Sequence, residues 1–252
     1  RIASGAIVAL VIPSRPSLRP PPPPPHSTTT SVTRATSATA AMTSATVPKL
    51  SYFGLPGRVF GLRVALFKAF GKDGWTDHRV GFQDWRELKP TTPLGGLPTL
   101  ELPDGTVLVQ AESLARWAAK HAGLYPADPM EALRVDEVAA TAFEVLNKCP
   151  QDPDPEVKKA KRVEYGFGFM QIGMSLLEKR LTTGASASSG FLLQSGISLA
   201  DLQVYVLTDM ILTGQFDHID PGYMNAYPGL LAAHAAVKAD PIVVEYLANY
   251  PN

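Results

Sequence analysis

A single cysteine, Cys149, is all the sequence contains. That excludes an internal disulfide, CxxC redox chemistry and zinc sites built on paired cysteines, and it is compatible with a reducing compartment. No stretch approaches the roughly 18 consecutive apolar residues of a membrane span. Neither sign of charge is in excess: 23 basic and 23 acidic residues give a formal net charge of zero, a balance that argues against nucleic acid or a membrane surface as partner. Acidic residues are missing from the whole first part of the chain, the earliest being Asp73.

What is present is enough for one or two compact domains: 252 residues, 45% of them hydrophobic. The acid-free beginning is different. Residues 1–46 are rich in Ser, Thr, Ala and Pro, carry Arg1, Arg15, Arg19 and Arg34, and include the unbroken run Pro20–Pro25. Such a segment lacks the apolar residues for a core and is expected to be disordered, with the proline run in polyproline II. Two readings stand for it. One is a targeting peptide for a plastid or mitochondrion, acid-poor and Arg-bearing with a short apolar run at Ala6–Ile12. The other, given preference, is extra translated sequence before Met42, leaving a cytoplasmic protein.

From Lys49 onward the pattern alternates between strand and helix. Leu50–Phe53 reads as a strand, Gly54–Gly57 as a turn, and Arg58–Phe70 as a helix with Val59, Leu62, Leu66 and Phe70 at helical spacing. Trp75–Val80 reads as a second strand and Asp84–Lys89 as one helical turn. Pro98–Leu102 and Thr106–Val109 read as a hairpin around Pro103-Asp104-Gly105. A helix over Glu112–Ala122 stops at Gly123. The linker Leu124–Pro129 follows, and everything beyond it is helical: Met130–Lys148, Pro155–Leu181, Leu199–Gly214, Pro228–Lys238 and Pro241–Ala248, with Ser198 and Asp201 forming a capping box. The expected domains are therefore a leader at 1–46, a small α/β domain at 47–124 and an all-helical domain at 130–252.

Three motifs narrow this further. They are Lys49-Leu50-Ser51-Tyr52-Phe53 followed by Pro56-Gly57-Arg58; Asp84-Trp85 through Lys89 to Thr92-Pro93-Leu94-Gly95-Gly96-Leu97-Pro98; and Gln110 through Arg116-Trp117 to Gly123-Leu124. In order and spacing, about four fifths of the chain resembles the sigma-like, prostaglandin D synthase-like branch of the cytosolic glutathione transferases.

The resemblance implies a thioredoxin-like N-terminal domain followed by an all-helical C-terminal domain. It implies an enzyme that uses glutathione as co-substrate, without a metal, against a small hydrophobic electrophile, with peroxidase or isomerase chemistry open to the same thiolate. It also implies a homodimer, with no nucleic-acid or membrane partner. Tyr52 is the candidate thiol activator. A free thiol has a pKa of about 8.5, and a phenol O–H donated to the sulfur favours the anion. Arg58 would add positive field at the sulfur or hold the base of the site. Trp85 and Lys89, at i and i+4, would meet the glycyl carboxylate. Leu97 and the expected cis-Pro98 would pair with the cysteinyl backbone, and Gln110 at a helix start would meet the γ-glutamyl carboxylate. Glu144 would reach the glutathione amine of a partner subunit. Phe143, Leu146, Tyr165, Phe169 and Met170 are candidates for the hydrophobic wall.

The departures are as informative. Ala111 stands where the family has Ser, while Ser113 lies two residues on; a shifted register would restore the hydroxyl but misplace Arg116, Trp117 and Gly123, so the register with Ala111 is preferred. Gly96 replaces a common Gln or Lys, and Phe60 replaces an acid. The alternative reading is a non-catalytic protein that kept the fold with a weakened glutathione site.

Overall fold

The computed structural model describes residues 47–183 and 189–250. The expected leader at 1–46 lies outside the described residues.

Strand β1 (Lys49–Phe53) sits inside a four-stranded sheet of order β2-β1-β3-β4. β2 (Thr76–Val80) runs parallel to it, with Leu50 opposite Asp77 and Tyr52 opposite Arg79. β3 (Thr99–Glu101) pairs antiparallel, Leu50 facing Leu100, and β4 (Val107–Val109) closes the hairpin. A parallel pair requires a crossover, which helix α1 (Phe60–Phe70) supplies after a 3-10 turn at Gly57–Val59. The apolar run of α1 is buried almost along its whole length, as expected for a helix pressed between a sheet and other helices. Short α2 (Phe82–Leu88) follows β2, and α3 (Ala111–His121) follows β4. This is the thioredoxin-like arrangement.

The second half contains α4 (Pro129–Asn147), α5 (Pro155–Phe167), α6 (Phe169–Thr182), α7 (Leu199–Leu212), α8 (Pro228–Ala239) and α9 (Pro241–Asn249). Four of them open on proline at the first turn, where a missing N–H costs nothing. The single helix expected over Pro155–Leu181 is two, broken at Gly168, where an added Cβ would lie 3.2 Å from the Glu164 carbonyl oxygen. A 3-10 turn at Pro221–Ala226, started by Asp220 accepting from the Gly222 N–H at 2.7 Å, was not expected from the pattern.

The two halves share one core. Phe60 packs against Tyr205 of α7 and Tyr246 of α9, with ring centroids 5.0 and 5.9 Å apart. The position that holds an acid in the family motif is thus an apolar joint here. At the start of α7 the expected capping box is present, with Ser198 N–H and Oγ donating to Asp201 Oδ2 at 2.8 and 2.6 Å and Leu192 N–H donating to Oδ1 at 2.8 Å. The Leu199 N–H donates to the Leu124 carbonyl, which anchors the linker to α7.

Candidate active site

Tyr52 is buried in β1. Beyond the strand the chain turns through Gly57 at φ +38°, a conformation L side chains rarely adopt. A Cβ there would also lie 3.3 Å from the Tyr52 hydroxyl oxygen. Glycine therefore leaves room for the hydroxyl and lets the Arg58 backbone N–H hydrogen-bond to it. Burial pushes the Tyr52 pKa up, against the charge and N–H of Arg58 and the charge of Arg63. The phenol consequently keeps its proton at neutral pH and is a donor in a positive field.

Arg63, which the sequence reading passed over, sits behind Tyr52. Its guanidinium is buried, donating from Nε to Asp77 Oδ1 at 3.0 Å, and from its terminal nitrogens to Leu55 O at 2.7 Å and Phe53 O at 2.9 Å. It therefore fixes both the end of β1 and the turn leading to Arg58. A signal existed: a charge inside the apolar run Leu62–Phe67, four residues beyond Val59 on a helix with no polar face, needs a buried partner.

A cavity of about 400 Å³ opens beside this turn. Arg58, Gly96, Leu97 and Pro98 line one side. The Leu97–Pro98 bond is cis, as expected. Gln110, Ala111 and Ser113 line another side together with Glu112. Ala111 and Ser113 both line the cavity. The residues at 111–113 open α3, where backbone N–H groups have no partner inside the helix, and no side chain caps them. Gln110 joins β4 to α3 at φ +78°. Helix α4 adds Phe143 and Asn147, of which Asn147 was not foreseen.

Tyr52 itself is not among the lining residues and meets the cavity only through the adjoining Gly57-Arg58 turn; several other candidates also lie outside the lining. Trp85 packs edge-on against Phe53 at 5.9 Å, and exposed Lys89 runs alongside Gly95, next to Gly96. Glu144 is exposed and pairs with Lys148 at 2.7 Å. Among the wall candidates only Phe143 lines the cavity. Met170 is core, Leu146 is half-buried, and Tyr165 and Phe169 border a separate recess with Lys161 and Glu164. Tyr165 is also occupied in donating to the Val145 carbonyl. Among the described residues, no three His, Cys, Asp or Glu are grouped to hold a metal, and no helix is long and apolar enough to cross a membrane.

Residues 144–250 match the profile of the glutathione S-transferase C-terminal domain. The chain is 32% identical to glutathione S-transferase S1 of Drosophila melanogaster over 194 residues, covering 75% of this chain and 73% of that protein. It is 30% identical to the hematopoietic prostaglandin D synthase of Gallus gallus over 205 residues, covering 81% and 96%. The chain belongs to the glutathione S-transferase family. Within that family its relatives put it in the sigma-like, prostaglandin D synthase-like branch. Glutathione S-transferase membership makes it a transferase enzyme. The fold agrees: the rat prostaglandin D synthase complexed with a quinoline superposes with a TM-score of 0.68 at 24% identity, over 81% of this chain and 98% of that one. The glutathione S-transferase of Ascaris lumbricoides gives 0.65 at 26% identity, over 82% and 98%.

Proposed function

We propose that the cavity holds glutathione, and that Tyr52 donates its hydroxyl hydrogen to the sulfur so that the thiol ionises near neutral pH. One charge-assisted hydrogen bond supplies roughly 1.5–3 kcal/mol. Each unit of pKa lowering needs about 1.4 kcal/mol, so the thiol falls by about one to two units. The observation that carries the reading is the join at Gly57-Arg58: the buried, protonated phenol of Tyr52 lies beside Gly57, and Arg58, the next residue, lines the cavity with the cis-proline Pro98.

The remaining roles follow from chemistry. The uncapped N-terminus of α3, with Ser113, receives the γ-glutamyl carboxylate. The Leu97 backbone pairs with the cysteinyl residue, and Lys89 beside Trp85 meets the glycyl carboxylate. Residues 47–124 thus bind the peptide, and residues 130–252 carry the site for a small hydrophobic electrophile. The thiolate forms a bond to the electrophilic carbon as the leaving group departs with its electron pair; the thiol proton goes to solvent. The same thiolate serves peroxide reduction or isomerisation. The working form is a cytoplasmic homodimer in which Glu144 reaches the partner's glutathione, and residues 1–46, if they target the chain, send it to a plastid or mitochondrion instead.

The test is retention on immobilised glutathione and conjugation of a simple aromatic halide. Tyr52→Phe should lower kcat/KM by about tenfold or more. Wild-type protein with neither property would remove this reading.

A further inference from the structure

The cavity lies between opposite poles of two helices. On one side stand Ala111, Glu112 and Ser113, the first turn of α3, whose free N–H groups carry partial positive charge. On the other, α4 ends. Phe143 and Asn147, at i and i+4 and so on one face, line the cavity, and Asn147 is the last residue of that helix. The carbonyls of a helix's final turn are the negative pole. The Asn147 amide is exposed and makes no hydrogen bond within the described residues. The charged side chains lining the cavity, Arg58 and Glu112, cancel.

Such a space suits a group that carries a carboxylate and an ammonium on the same carbon. Glutathione has one: the free α-amino acid of its γ-glutamyl end. Glu144, the acid expected to serve the amine of a partner's glutathione, is exposed, paired with Lys148 and absent from this chain's own lining, so within one chain the amine needs another acceptor.

We propose that Asn147 reads the ammonium of glutathione within a single chain. Its Oδ1 accepts a hydrogen bond from the amine, backed by the C-terminal pole of α4, while the carboxylate faces α3. Asn147 is then a specificity-determining residue for the thiol peptide. The inference rests on the reading that glutathione occupies this cavity.

The experiment compares glutathione with its analogue lacking the α-amino group, glutaryl-cysteinyl-glycine, in full-length protein. Wild type should prefer glutathione by about tenfold or more in kcat/KM and in direct binding, the worth of one hydrogen bond to a charged group. Asn147→Ala should cut that preference by about fivefold or more, raising KM for glutathione while leaving the analogue within about twofold of wild type. Asn147→Asp should keep or enlarge the preference. Equal losses on both peptides, no change in either, or an Asn147→Asp protein that behaves like Asn147→Ala would each overturn the role of Asn147 while leaving glutathione in the cavity. A wild-type protein that binds neither peptide would remove the occupancy and this inference with it. Thermal melts of the variants, at an exposed helix end, verify that folding is intact.

Discussion

The guanidinium of Arg63 lies 5.9 Å from the centre of the Tyr52 ring, while its nitrogens bond Asp77, Phe53 and Leu55. One buried cation thus sets the strand end, the turn and the field at the phenol. Asp77 is also bonded by Arg79 at 2.9 Å, but the Arg63–Asp77 pair is the desolvated one, with side chains 2% and 3% exposed.

Arg63→Met should destabilise the protein by about 3–5 kcal/mol in denaturant unfolding, because it leaves a buried carboxylate short of its partner. The double variant Arg63→Met/Asp77→Leu should recover part of that loss, since no uncompensated charge remains. Equal stability of the single and double variants would show that the pair acts only through packing.

Tyr52 sets a second expectation, in pH. Its raised pKa means that the hydroxyl proton is held more firmly in the folded chain than in the unfolded one. The associated stability is complete below about pH 10 and is lost as pH rises through the folded value. Near neutrality the phenol does not titrate, so the pH profile of kcat/KM reports the thiol. Tyr52→Phe should move its acidic limb up by about one to two units, toward the free thiol value of about 8.5. An unmoved limb with lowered rates would assign Tyr52 to packing.

Strand and helix order from Lys49 to His121 was legible because strand alternation, the Pro-Asp-Gly turn and the helical spacing are local signals. The cis-proline and the cavity-lining residues Arg58, Gly96, Gln110 and Ala111 came from the family resemblance carried by the motifs, with Ser113 as the alternative to Ala111. Arg63, Glu112 and Asn147 did not, because their roles depend on which helix ends meet in space. The break at Gly168 was missed for a related reason: an isolated glycine in a helical pattern is usually tolerated, and here the close Glu164 carbonyl makes the difference. Of the wall candidates, Met170 is packed in the core and Tyr165 borders a separate recess, placements that helical spacing alone does not separate from a substrate wall.

Gln110 holds a φ of +78° at the junction of β4 and α3, where it lines the cavity. A non-glycine residue in such a conformation costs about 1–3 kcal/mol and is kept where function requires it. Gln110→Gly should therefore leave the melting temperature unchanged or raised, since strain relief offsets the roughly 0.5–1 kcal/mol entropic cost of glycine. It should also raise KM for glutathione. Gln110→Val should lower the melting temperature, because a β-branched residue tolerates this φ least. A glycine variant with both lower stability and unchanged KM would make Gln110 a structural residue alone.

Asp201 gives the pH dependence of the helical half. It is fully enclosed, and burial raises its pKa to about 6 despite the hydrogen bonds from Ser198 and Leu192. In the unfolded chain the carboxyl titrates near 4. Between these values the folded state binds the extra proton, so the stabilisation is complete below about pH 4 and disappears as pH rises through about 6. The shift corresponds to a loss of up to about 3 kcal/mol across that window, an upper figure for a group with three donors around it. Asp201→Asn cannot titrate, although it lacks one acceptor. Unfolding free energies of wild type and variant measured from pH 4 to pH 7 should therefore converge as pH rises, with the variant weaker at pH 4 and the difference smaller at pH 7. A difference that instead grows with pH would mean that the three donors hold Asp201 ionised in the folded chain and that hydrogen bonding outweighs burial at this cap.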